Sequence, residues 1–109
     1  MNRHPELVSG SDISTMRIGF IYIVSNKKRT TLYVGVTNNL KRRIAEHKEG
    51  IGSKFSSRYK LTDLLYYEEI TDIRKAILRE KQLKNWHREW KLNLIKSVNP
   101  DLRDLYWDL

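Results

Sequence analysis

The chain has 109 residues, 21 Lys/Arg against 13 Asp/Glu, a formal net charge of +8 and no cysteine. That length holds one domain with one modest core. The missing cysteines exclude disulfides and thiolate-bound zinc and suit a reducing cytoplasm, and no apolar run approaches the ~20 residues that span a bilayer or forms a signal-peptide core.

The positive charge is uneven. Arg17 to Lys60 contains eleven Lys/Arg and two Asp/Glu, whereas Leu61 to Leu109 carries nine of each. A basic half beside a neutral half is the electrostatic footprint of a surface that meets a polyanion. Residues 1–16, with Pro5, Gly10 and several small polar residues, show no periodicity and read as a disordered leader before a domain at 17–109.

Ile18–Val24 is rich in β-branched and aromatic residues and predicts a strand. Ser25–Thr30 follows as a hairpin loop and Thr31–Val36 as a second strand. Pairing Val24 with Thr31 sets Tyr22 opposite Tyr33, with both rings and Gly35 on one sheet face. Gly35 then leaves room for a ligand to approach the backbone. Asn38 is the expected N-cap of a helix reaching Lys48, with Leu40 and Ile44 turned inward. Gly50 and Gly52 end it, and a basic, Ser-rich connection with a short helix covers Ser53–Lys60. Leu64–Ile70 predicts a third strand, with Tyr66 and Tyr67 assigned to packing. Helices are expected over Asp72–Trp86 and Glu89–Ser97, stopped by Asn99-Pro100. Trp86 and Trp90 are assigned to packing, and Leu102, Leu105, Tyr106 and Trp107 to covering the core. The order β-β-α-β-α-α suggests an α+β fold, an antiparallel sheet flanked by helices.

Five side chains stand out for chemistry. Glu80 falls inside the apolar stripe of its helix, among Ile73, Ala76, Ile77 and Leu83. A carboxylate there is costly unless paired or bound to a cation. Two readings stay open: a salt bridge to Lys84 or to the first helix, and ligation of a divalent metal. Arg43 sits at the edge of the Leu40/Ile44 face, where a guanidinium can fork onto a phosphate. His47 lies one turn further on the same face, suited to proton transfer or to holding a phosphate or tyrosine. Tyr22 and Tyr33 are either strand aromatics or working phenols. Ionising a phenol of pKa ~10 near neutrality demands an adjacent cation such as Arg43. Lys41 and Arg42 point outward, and with Lys48, Lys54 and Arg58 they are candidate contacts to a nucleic-acid backbone. His4 and His87 are given no catalytic role.

Taken together these residues resemble the GIY-YIG endonuclease superfamily. Phe20-Ile21-Tyr22 and Tyr33-Val34-Gly35 match its two name motifs, with Phe20 in place of the first glycine. Arg43 follows Tyr33 by ten positions, His47 follows Arg43 by four, and Glu80 stands on a later helix in Arg79-Glu80-Lys81-Gln82-Leu83. Lys84-Asn85-Trp86 through Lys91, then Asn99-Pro100, is similar to the short stand-alone bacterial YhbQ-like members. Val36 stands where the repair enzymes of the superfamily carry lysine. The resemblance covers Phe20 to about Leu105. It implies a three-stranded antiparallel sheet and hydrolysis of a phosphodiester with one divalent metal, Mg²⁺ or Mn²⁺, on Glu80. It also implies that Arg43 stabilises the charge of the phosphorane and that Tyr22 or Tyr33 deprotonates or positions water. His47 would assist proton transfer, Gly35 would permit close packing, and Asn99 would lie near the site. The expectation is a structure-directed endonuclease acting on DNA, with RNA as a second polyanion and a link to repair or recombination. Two rivals are a nucleic-acid-binding module with little cleavage and a protein-interaction domain that docks through its aromatic C-terminus.

Overall fold

β-Branched and aromatic residues fit a pleated, half-buried surface, and they build β1 (Gly19–Ser25), β2 (Leu32–Thr37) and β3 (Asp63–Ile70). The computed structural model describes residues 17–109; the expected leader, 1–16, lies outside the described residues. The three strands form one sheet in the order β2-β1-β3, with both pairings antiparallel. Four helices follow the expected places: α1 (Leu40–Lys48), α2 (Lys54–Arg58), α3 (Ile73–Lys84) and α4 (Arg88–Val98), with a closing 3₁₀ turn at Leu105–Asp108. This is the α+β arrangement that the order of elements suggested. No helix of the described residues is long and apolar enough to cross a membrane.

The β1–β2 register differs from the expected one by two residues. Tyr22 faces Gly35, Val24 faces Tyr33 and Ser25 faces Leu32. The reason is the loop at 26–31, which Asn26 folds on itself. Its Oδ1 accepts from the backbone N–H of Thr30 (2.9 Å) and Thr31 (3.1 Å), and its Nδ2 donates to Thr30 Oγ1 (2.7 Å). Arg29 supplies the left-handed residue, at φ 59°. Because side chains alternate with period two, a slip of two leaves every residue on its expected face. Tyr22, Tyr33 and Gly35 therefore still share one.

The sheet is covered on both sides. Ile21, Ile23, Val34, Leu65 and Tyr66 pack against Ile73, Ala76 and Leu83 of α3 and Ile95 of α4. Tyr22, Val24 and Leu64 pack against Leu40 and Ile44 of α1 and against Leu61, with Leu105, Tyr106 and Leu109 closing the edge. Each buried aliphatic side chain contributes about 1.5–3 kcal/mol. The α1 cap is Asn39 rather than Asn38, its side chain accepting from Arg42 N (3.1 Å), and Asp72 caps α3 through Arg74 N (2.9 Å).

Three aromatic assignments change. Tyr66 is buried against the α3 face of the sheet, whereas Tyr67, on the opposite face of the edge strand β3, is 39% exposed. Trp90 lies half-exposed on α4, edge-on to Trp86 and His87. Trp107 meets Tyr106 edge-on and remains 74% exposed, so it does not cover the core.

Candidate active site

β1 delivers Tyr22 to the centre of the α1 face, where it is fully buried. Its ring lies across Gly35: a Cβ built on that glycine would sit 2.3 Å from Tyr22 Cζ. The space beside Gly35 is thus taken by the phenol and is not open to a ligand, which corrects the expectation for this residue. Tyr22 OH lies 2.8 Å from His47 Nε2, and Arg43 Nε donates to it at 3.4 Å. His47, in the last turn of α1, is also fully buried, and Gly52 presses on its far side; a Cβ at 52 would lie 2.4 Å from Nδ1.

The protonation of this group follows from its surroundings. Burial, and then the Arg43 charge, push His47 down to about 4. Burial pushes Tyr22 up to about 12, outweighing its bond to Arg43. Both are therefore neutral near pH 7. With Arg43 donating into the phenol oxygen, the phenolic hydrogen is directed to His47 Nε2, which places the ring proton on Nδ1; this tautomer is assigned from the hydrogen-bond network. His47 Nδ1 has no partner among the described residues.

Arg43 is held on two sides. Nε bonds Tyr22, and Nη1 bonds Glu46 Oε1 at 2.9 Å. Burial works against its charge, but the bonds to Tyr22 and Glu46 outweigh that and hold its pKa above the ordinary value. Nη2 makes no hydrogen bond among the described residues, and the side chain is 29% exposed. One end of a fixed guanidinium therefore faces outward. Glu46 has no role in the sequence reading, although its spacing of three from Arg43 and four from Arg42 carried the signal.

Glu80 behaves as its helical position demands. Ile73, Ala76 and Leu83 around it are buried, and its own side chain is 12% exposed. Its Oε2 lies 2.7 Å from Lys84 Nζ, so the i,i+4 salt bridge is present. The pair is not turned away from the phenols. Lys84 Nζ stands 5.8 Å from the centroid of Tyr33, and the Glu80 charge is one of those that raise Tyr22. β2 is an edge strand, which lets side chains of α3 meet Tyr33 there. Among the described residues no three His, Cys, Asp or Glu side chains gather into a cage for a metal ion. A lone shielded carboxylate fits a hard cation of the Mg²⁺ type, which takes one or two protein oxygens and fills its shell with water and substrate phosphate.

Tyr33 completes the cluster. It is half-buried, edge-on to His47 (5.9 Å, 62°) and stacked on Phe55 of α2 (5.8 Å, 28°). The structure thus brings Tyr22, Tyr33, Arg43 and His47 into one contact cluster, with Glu80 joined to it through Lys84. Lys41 and Arg42 stand exposed on α1, and Lys54 and Arg58 on α2. Two candidates are engaged by other parts of the protein. Lys48 Nζ is spent on Thr62 O (2.9 Å) and Asp104. Asn99 is buried, donating to Leu65 O (3.0 Å) and Arg103 O (2.8 Å) and accepting from Arg103 N (3.2 Å). Both fasten the C-terminal segment, so the amide and the ammonium are hydrogen-bonded within the protein. Phe55 and Tyr59 belong to the surroundings of the site and have no counterpart in the sequence reading, since aromatics in a short Ser-rich connection give no periodic signal; Gly52, expected only as a helix stop, also seats His47.

Comparison with known proteins gives the family. The model of the GIY-YIG catalytic domain matches residues 18–93. The UPF0213 protein CPE1444 of Clostridium perfringens is 38% identical over 80 residues, covering 73% of this chain and 85% of the relative. A UPF0213 protein of Staphylococcus haemolyticus is 35% identical over 78 residues (72% and 94% covered), and one of Syntrophus aciditrophicus 33% identical over 87 (79% and 98%). No solved structure matches the chain. The chain belongs to the GIY-YIG family of nuclease domains.

Proposed function

We propose that the protein is a divalent-metal-dependent endonuclease that hydrolyses DNA phosphodiester bonds and chooses them by DNA structure rather than by sequence. One observation carries this reading: beside the outward Nη2 end of Arg43, fixed by Tyr22 and Glu46, stands the shielded Glu80 carboxylate, whose Lys84 partner reaches the Tyr33 ring and whose charge acts on Tyr22. A binding surface alone needs the cation but not the carboxylate beside it, since that charge repels phosphate.

Glu80 is the residue that would hold Mg²⁺ or Mn²⁺. When bound, such an ion supplies Lewis acidity toward the phosphate and lowers the pKa of water. Arg43 binds a non-bridging phosphate oxygen through its open end and gains strength as charge builds there. Tyr33 positions the attacking water, because it is the more accessible phenol. Tyr22 and His47 are positioning residues in this scheme. Both are buried and neutral, so they act on the reaction by fixing Arg43 and do not shuttle protons to solvent. Lys41, Arg42, Lys54 and Arg58 supply salt-sensitive contacts to the backbone. A cysteine-free, basic domain of this kind suits the cytoplasm, where repair or recombination intermediates arise.

The test is a cleavage panel of flaps, forks, mismatched duplexes, single strands and RNA with Mg²⁺ or Mn²⁺. DNA nicking that EDTA stops, and that Glu80→Ala abolishes without loss of binding, is the expected result. Wild-type cutting by Glu80→Ala would overturn the metal role. Salt-sensitive binding with no cutting of any substrate would favour the second reading, a nucleic-acid-binding module.

A further inference from the structure

A row of rings leads from the catalytic cluster to solvent. His47 meets Tyr33, Tyr33 stacks on Phe55, and Phe55 meets Tyr59 at 4.7 Å between centroids and 46° between planes. The two outer rings are 45% and 44% exposed and belong to neither core. They are nevertheless firmly mounted. Ser53 caps α2 through Ser56 N (3.1 Å), Ser56 is buried, and the α2 C-cap, Tyr59, returns its N–H to Phe55 O (3.1 Å).

Cations accompany the rings. Lys54 and Arg58 flank Phe55 on α2, and the Arg58 guanidinium carbon lies 5.7 Å from the Tyr59 centroid. Past Tyr59 a cleft of about 560 Å³ is lined by Lys28 and Lys60 among others, while its Lys27 is paired with Asp63 (2.8 Å). Exposed rings interleaved with positive charge are what a single nucleic-acid strand requires, because every base has a face to stack and every linkage a charge to neutralise. An apolar protein surface would not be served by cations at both ends of the row. Intact duplex would not either, since its base faces are already stacked.

We propose that Phe55 and Tyr59 form a stacking platform for unpaired nucleobases next to the scissile phosphate, so that the enzyme prefers DNA with a single-stranded flank. The proposal rests on the nuclease reading and adds the substrate feature that the site selects. Stacking is worth ~1–3 kcal/mol per base by alanine substitution, which corresponds to about ten-fold in affinity per ring.

The experiment measures binding in EDTA, so that nothing is cut, with a single strand carrying 2-aminopurine and with a blunt duplex. Wild-type protein should quench the 2-aminopurine. Phe55→Ala and Tyr59→Ala, with folding checked by circular dichroism and thermal melting, should each lose about ten-fold in single-strand affinity and most of the quenching. Duplex affinity should change much less, and Phe55→Trp should restore the quench. Unchanged quenching in both alanine variants, or equal losses on duplex and single strand, overturns the platform and leaves the nuclease reading standing. Wild-type protein that binds no nucleic acid at all overturns both.

Discussion

Gly35 stands directly opposite Tyr22 across the β1–β2 pair, and the phenol fills the place of the missing side chain. A Cβ at position 35 would lie 2.4 Å from the Tyr22 oxygen, the atom that holds both His47 and Arg43. The glycine of the second motif therefore seats the tyrosine of the first, and through it the arginine ten residues further along from Tyr33.

Gly35→Ala should accordingly damage fold and site together. The Tyr22 ring is packed on all sides, so overpacking there should lower stability by about 1–3 kcal/mol. Thermal melting should show that loss, and cleavage at a temperature where the variant is still folded should fall as well. A variant with wild-type stability and rate would show that Tyr22 can be displaced at no cost.

His47 makes stability depend on pH in a definite direction. Its folded pKa of about 4 lies below the unfolded value of ~6.5. The unfolded chain thus takes up the proton first, and the contribution of neutral His47 is complete above about pH 6.5 and lost as pH falls through about 4. Urea unfolding at pH 8, 6 and 4.5 should show wild type losing more stability than His47→Gln, by on the order of 2 kcal/mol once solvent screening is allowed for. Parallel losses in the two proteins would mean that the imidazole is not held neutral.

Asn99 should prove structural. Removing its amide leaves Leu65 O and Arg103 O without their donor and frees Arg103 N. Asn99→Ala should lose about 2–3 kcal/mol of stability, while the folded variant binds DNA with wild-type affinity. Normal stability with weakened DNA binding would return Asn99 to the nucleic-acid surface.

Lys84 competes for the carboxylate that a metal needs. Its Nζ sits 2.7 Å from Glu80 Oε2 on a half-exposed side chain. Lys84→Met should therefore tighten Mn²⁺ binding several-fold, read by calorimetry on the free protein. Weaker Mn²⁺ binding in the variant would show that Lys84 orients Glu80 rather than blocks it.

Much of this was written in short-range patterns. Runs of β-branched residues marked the strands, period two put Tyr22, Tyr33 and Gly35 on one face, and helical spacing put Glu80 in an apolar stripe and His47 beside Arg43. What the pattern could not carry was set by contacts distant in sequence or by side chains folding on their own loop. The two-residue shift in register depends on how Asn26 closes 26–31. Lys48 and Asn99 look like surface groups until Asp104 and Leu65 O, 56 and 34 residues away, claim them. Tyr67, Trp90 and Trp107 show the same limit, because an aromatic side chain has the same sequence signature buried or exposed.

The most direct test is the single-turnover cleavage rate at saturating DNA and Mn²⁺ for wild type, Arg43→Ala and Glu80→Gln. Each variant should lose at least ~10²-fold in rate, the scale of removing one charge-stabilising group, with Glu80→Gln still binding DNA as tightly as wild type. Rates within a few-fold of wild type in both variants would contradict the account, because the guanidinium and the shielded carboxylate would then take no part in breaking the phosphodiester.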